Sequence, residues 1–126
     1  MAAFGSKLRT GVQNRLFFWC PGCDEAHVVT HGPGGWGFNG SGDAPVFTPS
    51  VLVTGTDFTP EGRAMYERGE SPPNGKYPSR ETRCHSFVGC NGAQPGQIKF
   101  LGDCTHALAG KTVDLPDWPN PDWTGR

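Results

Sequence analysis

Apolar residues fall along this chain in short runs separated by turn residues, with little helical striping. "RLFFW" at 15–19 and "AHVVT" at 26–30 flank a Cys-Pro-Gly-Cys turn. They read as a strand pair, because aromatic and β-branched side chains suit a pleated, half-buried surface. "WGFN" at 36–39 alternates large apolar with small or polar residues, as a strand with one buried face does. "VFTPSVLVTG" at 46–55 is a further strand, bent or at an edge because Pro49 has no N–H for a ladder. "RCHSFV" at 83–88 and "QIKFL" at 97–101 are expected to pair across a glycine-rich connection, and "KTVDL" at 111–115 is a last short strand. One helix is predicted: Thr59 can cap it, Pro60 suits its first position, Glu61 favours its positive end and Gly69 ends it. A second, single turn is expected over "THALA", capped by Asp103.

These elements predict a mainly β, small and loop-rich antiparallel sheet domain over residues 15–115, with one or two short helices. A polar N-terminal arm (1–14) precedes it, and a Pro/Trp-rich C-terminal arm (116–126) with a doubled "PDW" follows. The 126 residues fit one domain. Glycine (19) and proline (12) make about a quarter of the chain, near the level of disordered sequences, yet four Trp and eight Phe call for a packed core. A small loop-rich domain of this kind gains from a cross-link. The net charge of −1 gives no electrostatic footprint for nucleic acid or an anionic membrane surface. No apolar run is long enough to cross a bilayer, and "MAAFGSKLRTGVQNR" lacks the apolar segment of a secretory signal. A reducing cytoplasm is therefore expected. There, five cysteines read as metal ligands or free thiols in preference to disulfides.

The chemistry centres on Cys20-Pro-Gly-Cys23. A thioredoxin-like dithiol needs this motif at the start of a long helix, and "DEAHVV" leads to a breaker cluster. The alternative is half of a zinc knuckle, stapling the domain with one structural Zn2+. The set expected to complete it is Cys84 and Cys104, with His106 and then His85 as substitutes. Cys84 and His85 would point to opposite faces of a strand, so only one of them should bind, whereas Cys104 and His106 would share a face of an extended stretch. Cys90 ranks last. His27 is placed either as a hydrogen-bond donor to a thiolate or as an ordinary half-exposed strand residue. With four cysteines on the metal, His85, His106 and Asp103 remain beside it, as supports or as the machinery of a zinc-dependent hydrolase or deaminase. No Ser/His/Asp order, phosphate loop or H-E-x-x-H motif stands out, so no catalytic residue is expected. A nucleic-acid-binding knuckle would need clustered Lys and Arg that the chain lacks.

"FFWCPGCDEAHVV", "FTPSVLVTG", "CHSFV" and "IKFLGDCTHALAGKTVDLPDW" together resemble a family of small phage- and prophage-encoded proteins whose members often carry the name "ammonia monooxygenase". The resemblance runs from Leu16 to Trp118 and includes Cys20, Cys23, His27, Cys84, His85, Cys104 and His106. It implies a phage or prophage source and metal binding. Nothing supports a monooxygenase, which would want copper or iron on histidine- or carboxylate-rich ligands. This chain departs at "GCNGAQPGQ", where relatives have a shorter turn, which sets Cys90 apart. The expected role is a zinc-binding interaction protein without catalysis of its own, in the bacterial host cytoplasm. Its expected partners are virion subunits or a host protein, with no membrane and no nucleic acid.

Overall fold

In the computed structural model, residues 2–119 are described. Among the described residues, nine strands and one α-helix follow in the order β1 (Ala2–Phe4), β2 (Leu8–Thr10), β3 (Arg15–Cys20), β4 (Glu25–Thr30), β5 (Gly37–Phe38), β6 (Phe47–Phe58), α1 (Pro60–Glu67), β7 (Ser79–Val88), β8 (Gln97–Phe100) and β9 (Thr112–Asp114). They form two antiparallel sheets, one ordered β1-β2-β3-β4 and the other β5-β6-β7-β8-β9. The mainly β fold class read from the sequence is the one observed.

Period-two alternation explains how the sheets face each other. Leu16, Phe18 and Cys20 of β3 and His27 and Val29 of β4 point inward and are buried. Cys84, Ser86 and Val88 of β7, with Ile98 and Phe100 of β8, do the same from the second sheet. Phe18 and Phe47 meet across the interior with ring centroids 6.1 Å apart. Thr59 caps α1 as expected, its hydroxyl accepting from the Gly62 N–H at 3.1 Å.

The N-terminal segment expected as an arm forms β1 and β2. Leu8 is fully buried, and the pairing of Leu8 with Phe18 carries it into the core. Trp118 also belongs to the fold: it lies edge-on to Trp19 at 5.7 Å, beneath the Arg9 guanidinium. Residues 120–126 of the expected C-terminal arm, Trp123 included, lie outside the described residues.

β6 is neither short nor at an edge. It runs between β5 and β7, and the bend expected at Pro49 takes the form of a break in register. Phe47 pairs with Val88 and Val51 with Ser86. Thr48, Pro49 and Ser50 thus face Phe87 alone. Proline cannot donate to the ladder, so the strand bulges there and resumes its pairing at Val51.

Candidate functional site

β7 presents Cys84 inward and His85 outward, and a different cluster has gathered on each face. On the inner face, Cys20 and Cys23 from the β3–β4 turn meet Cys84 of β7 and His106 of the loop after β8. Their ligand atoms all lie within 4.8 Å of one another. The Cys20 and Cys84 sulfurs are 3.8 Å apart, and the Cys23 N–H donates to the Cys20 sulfur at 3.4 Å. A tetrahedral ion with Zn–S bonds of about 2.3 Å would set its thiolates ~3.8 Å apart, so the Cys20–Cys84 spacing fits without rearrangement. None of the five cysteines is in a disulfide.

His106 supplies a second test of fit. Its Nδ1 accepts from the Leu108 N–H at 3.2 Å, which leaves Nε2 buried with no hydrogen-bond partner. An orphaned buried ring nitrogen is costly unless something takes it up. Ligation through Nε2 requires the ring proton to leave that atom, and the Leu108 contact then gives way. The ring stands edge-on to Phe100 at 4.5 Å and lies across Gly22, where any Cβ would fall on the imidazole. The glycine of the Cys-Pro-Gly-Cys turn is therefore the cradle of the fourth ligand.

Without a cation the three thiols share their protons unequally. The hydrogen bond from Cys84 pulls Cys20 down to about 4 against the effect of burial, helped by His27 and the Cys23 N–H. Burial, and then the charge on Cys20, pushes Cys23 up to about 12. Cys84 is pushed up as the donor to Cys20 and by burial. One thiolate beside two reluctant thiols is an arrangement that a soft divalent cation would relieve.

Two residues expected near the metal lie elsewhere. Cys104 is not among the four, because the loop after β8 turns and sends Cys104 and His106 in different directions. The Cys104 sulfur accepts from the His85 N–H at 3.3 Å and donates to the His85 carbonyl at 3.2 Å. His85 faces away from the cluster, as strand alternation requires. Cys90 is remote, its thiol donating to the Phe47 carbonyl. His27 is buried against Phe18 and borders the cluster, and its Nε2 also lacks a partner.

On the outer face, His85 Nε2 lies 3.0 Å from Ser50 Oγ, and His85 Nδ1 lies 3.5 Å from an Asp103 oxygen. The expected lack of a Ser/His/Asp order is corrected at Ser50, which nothing local in the sequence marks. It lies 35 residues from its partner, on the outward face of β6 and within the bulge at 48–50. The Trp36 indole N–H donates to the Ser50 carbonyl at 3.2 Å and steadies the bulge. Beyond Ser86, the loop after β8 takes over the free edge of β7. Leu101 N–H donates to the His85 carbonyl, and Thr105 exchanges bonds with both backbone groups of Arg83. That lacing holds Asp103 beside His85, and Arg83 leans on the same carboxylate oxygen at 3.5 Å. A carboxylate at Nδ1 favours the tautomer with its proton there, leaving Nε2 free to accept from the serine hydroxyl.

Two sheets joined by a thiolate–imidazole cluster, with serine, histidine and aspartate aligned on the far side of one strand, define a small β protein with the constellation of a serine hydrolase. The chain belongs to the family described as bacterial ubiquitination-like system serine protease (BubE), whose model matches residues 4–100. The matched segment carries Ser50, His85 and three of the four clustered residues, and stops just before Asp103. Comparison with curated proteins gives no match, and comparison with solved structures gives none.

Proposed function

We propose that this protein is a serine peptidase of a bacterial ubiquitination-like system, with Ser50 as nucleophile, His85 as general base and acid, and Asp103 holding the imidazole. The observation that carries this reading is the 3.0 Å approach of His85 Nε2 to Ser50 Oγ, with Asp103 on the opposite ring nitrogen. The chain order Ser–His–Asp differs from the orders of chymotrypsin, subtilisin and the α/β-hydrolases, and geometry, not order, defines such a triad.

In this reading Ser50 Oγ bonds to the carbonyl carbon of a peptide or isopeptide link as its proton passes to His85 Nε2. The tetrahedral intermediate then breaks its C–N bond, and His85 returns the proton to the departing amine. Water repeats the sequence on the acyl-enzyme, giving a free acid and regenerating Ser50. Asp103 stabilises the imidazolium in both halves. Cys20, Cys23, Cys84 and His106 would hold one Zn2+ as a structural staple between the two sheets. Four protein donors on one ion would leave no open position for a zinc-dependent hydrolase or deaminase.

A fluorophosphonate probe tests the proposal. One adduct is expected, on Ser50 by mass spectrometry, and none in Ser50→Ala. Absence of an adduct under conditions that label a control serine peptidase would overturn it. That result would favour the rival reading, a non-catalytic phage-encoded binding protein, which mass spectrometry of purified particles would then check.

A further inference from the structure

Outward-facing side chains of β6 run in a row from the nucleophile: Ser50, Leu52, Thr54 and Thr56 share the face of His85, while Val51 is buried on the other. Leu52 pairs with His85 in the ladder and is 54 % exposed, unusual for a large apolar residue in the middle of a sheet. One register step further, Thr54 pairs with Arg83, and Thr56 pairs with Glu81. There the surface hollows into a groove of about 640 Å³, whose near wall is Asp103 and Thr105. That volume falls in the range of ligand sites, roughly 300–1,000 Å³.

The lining indicates what fits. Thr54, Thr56, Thr82 and Thr105 line the space with Glu81, Arg83 and Asp103, so its walls carry groups that donate and groups that accept. This suits a peptide backbone, which offers N–H and C=O groups in alternation. Among the described residues, the walls contain no aromatic or aliphatic side chain to hold an acyl chain or a planar cofactor. Glu81 offsets Arg83, so the groove has no excess positive charge for a phosphate chain.

Resting on the serine-peptidase reading, we propose that this groove is the substrate cleft. It takes an extended, polar polypeptide segment that leaves the scissile bond at Ser50, crosses Leu52 and continues between Thr54–Thr56 and Glu81–Arg83. At about 3.3 Å per residue, some six residues span the row from Ser50 to Thr56. Leu52 selects an apolar side chain close to the scissile bond, and the threonines hold the backbone beyond it.

The test is protection of Ser50 from a fluorophosphonate by a pool of capped octapeptides, each with one leucine among serine, threonine and glycine. The reading is the labelling rate without the pool divided by the rate with it, so any change in a variant's own labelling rate cancels. The wild type should give a ratio of about five or more at millimolar peptide. Thr54→Trp and Thr56→Trp, which fill the groove from exposed strand positions, should each bring it to about one. In Ser50→Ala, the same pool should shift backbone amide resonances of Thr54, Thr56 and Arg83. A wild-type ratio near one, equal protection of both tryptophan variants, or shifts mapping to another face would each overturn the cleft. Protection by an octanoyl ester but not by peptide would overturn it in favour of a lipid. If the wild type is not labelled at all, the peptidase reading fails, and the amide shifts in Ser50→Ala still decide the groove separately.

Discussion

A single methyl group added at position 22 tests the metal centre without touching a ligand. Gly22 has an ordinary backbone conformation, so alanine there brings no backbone strain, but its Cβ would fall on the His106 imidazole. Either the ring leaves its place or the Cys20–Cys23 turn opens. Structural zinc binding in small domains is worth about 10–16 kcal/mol over four ligands, roughly 2.5–4 kcal/mol for each. At 1.4 kcal/mol per tenfold, full loss of His106 should weaken zinc binding by about 10² to 10³, and partial displacement by at least about tenfold. Competition between the protein and a fluorescent zinc chelator measures this directly. Gly22→Ala and His106→Ala should have effects of similar size, and the double variant should be little worse than His106→Ala alone, because both act on one ligand. Wild-type affinity in Gly22→Ala, or additive losses in the double variant, would refute the placement of His106 on the metal.

Asp103→Asn should leave the fold intact and lower Ser50-dependent hydrolysis by about 10⁴, because an amide no longer fixes the imidazole tautomer; a loss below tenfold would remove Asp103 from the triad. Cys104→Ala should still bind one equivalent of zinc by metal analysis, whereas Cys84→Ala should not, which separates the clamp on His85 from the metal site. Chelation should slow fluorophosphonate labelling of Ser50 at temperatures below the melting transition, because Cys84 adjoins His85 and His106 follows Asp103 in the same loop; unchanged labelling of a metal-free, folded protein would show the two sites to be independent. Phe18→Ala, which empties a fully buried ring site between the sheets, should cost about 3–5 kcal/mol in denaturant unfolding.

Local chemistry was legible in the sequence and long-range placement was not. Thr59 and Pro60 announced α1 because capping is decided within one turn. "RLFFWC" and "EAHVVT" announced β3 and β4 because alternation is a property of each strand alone. Leu8 gave no such signal: one apolar residue among polar neighbours becomes core only once β2 finds β3. Cys104 looked like a ligand on the assumption that its segment is extended, and the turns after Phe100 remove that geometry. Ser50 was hidden for a related reason. Its neighbour Pro49 marked an interruption of the strand, but what the interruption serves depends on His85, brought alongside by the pairing of β6 with β7.

The adjacency of Cys84 and His85 has a consequence for how the protein reaches its working form. A slip of β7 by one residue would exchange its faces, sending the imidazole inward and the thiol toward Ser50. The register that brings Cys84 to Cys20, Cys23 and His106 is also the one that turns His85 toward Ser50. A single strand alignment therefore assembles both faces, and an error in it would spoil the two together.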